Sequence, residues 1–266
     1  MQSTTQNDFR RFIQLHKILF VKKKNTAHAV QAKDFVGVKR RQNDRVCCGT
    51  VNSSQEIKEE LIELVEIPET PSDEPSFQVN FEELKKINSD VIGWIVIEGT
   101  GINYPIVQGN NNSFYLNHSY DKKWNSLGSI FADYQSSNDF SDYNTFIYGH
   151  HTRNGSMFGE LYKYMDVSFY KQNKTFYLYT PTGNFTAEIF SAYIDSTDSS
   201  SYNQSFNSIT EFNDYINLVK EKSNYSTDVK VDVNKDKIIT LYSCSHESNR
   251  KKNDRYFIHA VLRKIS

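Results

Sequence analysis

Cysteine is scarce in this chain, which holds three in 266 residues: Cys47, Cys48 and Cys244. Adjacent cysteines rarely bridge each other, because the geometry strains the peptide between them. That excludes a disulfide framework and leaves Cys244 as a free thiol. Long apolar runs are also missing. None approaches the roughly 18 residues that a membrane span needs. The best stretch, Phe12 to Val21, is short and interrupted by Gln14, His16 and Lys17, and no small-residue cleavage pattern follows it. Charge of one sign is lacking too. A net charge of −1 gives no argument for nucleic acid or an acidic polymer as partner.

What is present is aromatic: 17 Tyr and 18 Phe, residues that favour pleated, half-buried surfaces. Basic residues gather early, at Lys22-Lys23-Lys24 and Lys39-Arg40-Arg41, which marks an arm instead of a folded binding site. Residues 1–54 show no sustained period and read as a disordered arm or a foreign appended segment. Ile57, Leu61, Leu64 and Val65 recur at helical spacing, predicting a short amphipathic helix over 54–67. The acidic, proline-rich "PETPSDEPS", 68–76, is a linker, so residues 55–76 form helix plus linker and 77–266 the main domain.

Within that domain Asn80 caps a short helix that ends near Asn88. Strands are predicted at 92–97, in the extended part of "GTGINYPIVQG", and at 129–132, 144–148, 175–180, 185–194, 229–233, 237–243 and 256–262. Helical spacing appears after Gly155 through Met157, Leu161, Tyr164 and Met165, and again from Ser208 to Lys222 behind a capping-box signal. The serine-rich 196–208 reads as loop. Strands without regular βαβ alternation favour a mostly antiparallel barrel or sandwich of about eight strands.

The chemistry gathers at strand ends. "TLYSC" carries Cys244 out of an apolar strand, where a thiol can be reached and tuned, whereas a buried one would be an inert hydrophobe. A thiolate needs a positive neighbour. "IYGHH" delivers two histidines to the end of another strand; adjacent extended residues face opposite ways, so only one of His150 and His151 can face the thiol. His118 and His259 lie singly, as structural histidines do. Arg255, in "NDRYFIH", opens the last strand; its fixed planar donors suit a carbonyl or an oxyanion, although a solvated charge at a sheet edge is the commoner use.

"IYGHH…NGSMFGEL", "TLYSC" and "NDRYFIHAVL" together resemble the three catalytic motifs of the sortases, class B in particular. "INYPIVQGNNNSFYLNHSYD" and "LGSIFADY" are similar to further segments of that class, so the resemblance runs from about residue 77 to 265. It implies a sortase-like eight-stranded β-barrel with inserted short helices, preceded by the N-terminal helical segment. It implies His150 as catalytic histidine, Cys244 as nucleophile and Arg255 as the arginine of the site. Ser243, standing where the family usually has Thr, is implied in substrate and oxyanion binding; His151 is a wall of the cleft, and Tyr193 precedes a loop expected to shape the substrate pocket.

The implied activity is transpeptidation without a cofactor. A sorting-motif peptide of a secreted surface protein is cleaved after Thr through a thioacyl enzyme and passed to a peptidoglycan precursor amine. The implied location is the extracellular face of the cell membrane; class B members begin with a signal anchor, and residues 1–54 contain no segment that serves as one. Three rivals stand beside this reading: a hydrolytic cysteine peptidase on the same residues, a metal site built from His150, His151, Cys244 and His246, and a β-rich binding module with an inert Cys244. The metal reading lacks the usual ligand spacing.

Overall fold

Six consecutive residues, Val91 to Val96, are buried, and a strand buries every position only when both its faces are covered. The computed structural model describes residues 65–66, 78–244 and 253–265. In it, β1 (Val65–Glu66) and β2 (Gln78–Val79) pair antiparallel ahead of the main body. The main body is β3 (Val91–Val96), β4 (Asn103–Val107), β5 (Ile130–Ala132), β6 (Asn144–Tyr148), β7 (Thr175–Thr180), β8 (Gly183–Ser196), β9 (Ile238–Cys244) and β10 (Asp254–Lys264). These eight strands form a closed barrel in the order β10-β8-β7-β3-β4-β5-β6-β9, with β9 pairing back onto β10.

Two joins are parallel, β4 with β5 and β6 with β9; the others are antiparallel. The β6–β9 join matters most. Parallel neighbours end on the same side, so the residues after Tyr148 and those at Cys244 emerge at one rim. Antiparallel pairing with β9 brings the start of β10 to that rim, and pairing with β10 brings the end of β8 there. Four strand termini meet.

Among the described residues three α-helices decorate the barrel. In α1 (Phe81–Ile87) the Asn80 side chain accepts from the Glu83 amide, with acidic residues in the first turn and lysines in the last, an arrangement that complements the helix dipole. The predicted helix after Gly155 is only partly realised. Leu161–Met165 is a 3₁₀ turn followed by α2 (Val167–Gln172), while Met157 lies outside it with φ +53°. α3 (Ile209–Lys222) starts at Ser208, whose hydroxyl accepts from the Glu211 amide at 3.1 Å. It buries Phe212, Tyr215, Ile216 and Val219 against Phe146, Tyr193, Ile238, Phe257 and Val261 on the outside of the barrel wall.

Two expectations need correction. Val229–Val233 is not a strand. Its alternating valines pack on the edge of the α3 cluster, and side chains take the carbonyls a ladder would use: Lys220 Nζ donates to Val229 O at 3.3 Å and Arg263 Nη2 to Lys230 O at 2.7 Å. The predicted helix over 54–67 fails at its end, where Val65–Glu66 is paired as β1; the rest of it, like the arm and the linker, lies outside the described residues.

Candidate active site

Cross-strand partners in an antiparallel pair share a face. Arg255 is the Cα partner of Cys244 on one side and of Asp195 on the other, so one face carries the row Cys244, Arg255, Asp195 across β9, β10 and β8. On the other flank of β9, Tyr148 pairs with Tyr242, and the Gly149 amide prolongs that ladder by donating to Tyr242 O at 3.3 Å. Two residues beyond this pair stand His150 and Cys244, level with each other at the rim.

His150 is half-buried, and its Nε2 lies 2.7 Å from the carbonyl of Leu116. A carbonyl only accepts, so Nε2 carries a proton and Nδ1 is left for other work. Leu116 belongs to the 3₁₀ turn Phe114–Leu116. Packing of that turn against Gly128 is very close: a Cβ there, where φ is +61°, would lie 2.4 Å from Tyr115 O and 2.7 Å from Leu116 O. Gly149 is equally constrained, since a Cβ would meet Ile130 at 2.5 Å and Phe158 at 2.7 Å. Glycine there leaves room for Ile130 and Phe158 to pack against the backbone just before the histidine.

His151 goes the other way. Its ring stacks on Tyr256 at 5.7 Å between centroids, and its backbone bridges Met157. Tyr256 is the partner of Ser243, on the face opposite Arg255 and Cys244. The two histidines thus part: His150 follows Tyr148 by two residues, level with position 244 of β9, and reaches Leu116, whereas His151 packs on Tyr256. This opposition also separates two members of the suggested metal set; His246 lies outside the described residues, among which no group of three or more His, Cys, Asp or Glu side chains is disposed to hold a metal ion.

Two expected contacts to substrate are displaced. Tyr193 is 2% exposed, stacked on Phe257 with its hydroxyl 3.0 Å from His259 Nε2, because the alternation of β8 turns it under α3. Ser243, also 2% exposed, donates its hydroxyl to Gly149 O at 2.8 Å. A hydroxyl so committed fastens two strands instead of reaching a substrate.

The sortase domain family matches residues 95–263. A Listeria monocytogenes protein named Sortase B is 42% identical over 170 residues, 64% of this chain and 69% of its own length. The chain belongs to the sortase family, class B. Sortase B of Staphylococcus aureus is 34% identical over 186 residues, 70% of this chain and 75% of that one. A solved Bacillus anthracis protein described as similar to sortase B superposes with a TM-score of 0.70 at 32% identity, covering 82% of this chain and all of its own. This sortase is accordingly a cysteine transpeptidase.

Two carboxylates that sequence patterns did not single out organise the surroundings of this sortase site. Asp133 follows β5 and is 1% exposed. Burial alone would raise its carboxyl, but Tyr148, Gln204, the Gln135 amide and Asn112 all donate to it and hold it below the usual range. Asp195 behaves alike: burial raises it, and Lys222, Ser199, the Ser196 amide and Ser201 outweigh burial, bringing it down to about 2. One clue was available. Tyr148 ends β6 two residues before His150, so whatever Tyr148 holds lies near the end of the strand that leads to that histidine.

Proposed function

We propose that Cys244 is the nucleophile, His150 the proton donor and acceptor, and Arg255 the oxyanion partner of a reaction that cleaves a threonine-containing sorting motif. The observation that carries this reading is the pairing of Cys244 with Arg255 beside His150 at one rim. Cysteine supply supports it: Cys244 is the one cysteine of the chain within the matched residues 95–263, and the activity requires a cysteine.

The Cys244 thiolate attacks the threonyl carbonyl carbon. Arg255 donates to the oxygen that gains charge. As the C–N bond breaks, His150 as imidazolium gives its Nδ1 proton to the leaving amine, while Nε2 keeps its bond to Leu116 O. A thioester on Cys244 and a neutral imidazole remain. An incoming amine attacks the thioester, loses a proton to His150, and regenerates the thiolate. Thiolate and imidazolium must coexist at the outset, so turnover is slow where only a minor fraction of the enzyme holds both.

The sorting-motif peptide belongs to a secreted surface protein, and the acceptor is a peptidoglycan precursor amine. A solved Staphylococcus aureus sortase B is described as a substrate complex, at 31% identity and a TM-score of 0.66, which supports a peptide in the corresponding groove here. Residues 77–266 act as the catalytic domain at the extracellular face of the membrane. No helix among the described residues is long and apolar enough to cross a membrane. Incubating the enzyme with a peptide library of fixed threonine, with and without an amine acceptor, tests the reading. A ligated product is expected; cleavage that ignores the amine would make the protein a hydrolytic peptidase instead.

A further inference from the structure

His259 is fully buried between α3 and the barrel wall, where a histidine without a purpose is expensive to keep. Its hydrogen bonds run in one direction only. Asn144 Nδ2 donates to Asn203 O at 2.9 Å, and a carbonyl only accepts, so Asn144 presents Oδ1 to Thr240. Thr240 Oγ1 therefore donates to Asn144 Oδ1 at 2.8 Å and accepts from His259 Nδ1, also at 2.8 Å. The imidazole, neutral in its apolar surroundings, leaves Nε2 to accept from Tyr193 at 3.0 Å. At the far end Asn144 Nδ2 reaches Tyr215 Oη at 3.2 Å, and Tyr215 donates to Ser201 O at 2.8 Å.

The relay ends on two carbonyls, Ser201 and Asn203, and these bracket Tyr202. The Tyr202 ring packs on Phe146 at 4.8 Å and Tyr242 at 5.6 Å, and its hydroxyl meets that of Tyr148 at 2.5 Å. Tyr148 and Tyr242 precede His150 and Cys244 by two residues. Tyr202, 39% exposed, thus stands as a wall beside the rim where the substrate peptide must lie.

We propose that His259, Thr240, Asn144 and Tyr215 are positioning residues that hold the Ser201–Gln204 segment, and through Tyr202 the wall of the peptide groove, in its binding geometry. The effect on substrate rests on the transpeptidase reading above; the effect on the segment does not. The relay acts on binding more than on chemistry, because none of its members reaches His150 or Cys244.

Thr240→Val removes the hydroxyl at nearly constant volume and strands two buried polar groups, an imbalance worth roughly tenfold in a local opening equilibrium. Hydrogen exchange of the amides of residues 199–206 should quicken about tenfold by that argument, with α1 amides unchanged. With a library-selected threonine peptide, KM should rise several-fold while kcat stays within about twofold, the signature of lost binding in the ground and transition states alike. Thr240→Ser should restore both. Tyr215→Phe, which frees the Ser201 carbonyl and leaves Asn144 Nδ2 with Asn203 O alone, should reproduce the exchange effect if Thr240→Val fails to fold. Unaltered exchange at 199–206, or acceleration spread equally over α1, would overturn the relay. A kcat loss with constant KM would overturn the positioning role, and absence of any transfer by the wild type would count against the transpeptidase reading while leaving the exchange result to decide the relay.

Discussion

The Ser243 hydroxyl is bonded to the carbonyl of Gly149 across 2.8 Å, tying the residue before Cys244 to the residue before His150. A single side-chain bond thus spans the two strands whose ends make the site. Its donor side chain is 2% exposed, so water replaces it poorly.

Ser243→Ala leaves the Gly149 carbonyl without this donor, at a cost of about 1–3 kcal/mol if nothing replaces it. Because the freed segment carries the imidazole, kcat should fall by roughly tenfold or more. Ser243→Thr keeps the hydroxyl and should stay within a few-fold of wild type. Steady-state kinetics on the two variants check this; an unimpaired Ser243→Ala would remove the fastener from the account.

Gly128 reaches the site by a different route. A methyl group there would press on the carbonyls of Tyr115 and Leu116 at a backbone angle that side chains resist, and the second carbonyl is the anchor of His150 Nε2. Gly128→Ala should therefore lower kcat well beyond what its loss of thermal stability explains. The same substitution tested at Gly155, where the nearest atoms are the flexible Glu160 side chain, is the comparison: strain without displacement of the anchor.

Acid should weaken the fold through His259. Burial first, and then the positive charge of Lys222, push its pKa from 6.5 down to about 3. Between those values the unfolded chain binds a proton that the folded chain refuses, so stability is full above about pH 6.5 and is lost as pH falls towards 3. The slope from this one group is about 1.4 kcal/mol per pH unit. His259→Asn, which keeps a donor near the Nδ1 position, should flatten the pH dependence of urea unfolding between pH 4 and 6 by about that amount. Equal slopes in the two proteins would contradict the neutral, buried imidazole.

Much of this was readable beforehand because it is local. The Asn80 and Ser208 caps announce α1 and α3, and strand-ending "IYGHH" and "TLYSC" announce where His150 and Cys244 emerge. The hidden part is what depends on pairing. Alternation told that His150 and His151 oppose each other, but only the β6–β9 register, with Tyr148 beside Tyr242, brings the end of β6 level with the end of β9. Val229, Val231 and Val233 alternate as a strand does, yet a helix edge satisfied them. Tyr193 sat beside the right loop and on the face of Arg255 and Asp195, but α3 packs over it, a contact between elements that strand alternation does not announce. Asp133 and Asp195 carried no motif, since Gln204 and Lys222, which help to hold them, stand 71 and 27 residues away in sequence.

Intact-protein mass spectrometry after mixing the enzyme with a threonine-motif peptide, without an amine, tests the central claim most directly. The account predicts an adduct equal to the N-terminal half of the peptide, mapped to Cys244, discharged by added amine and missing in Cys244→Ala. An adduct on another residue, or ligation that survives Cys244→Ala, would contradict it.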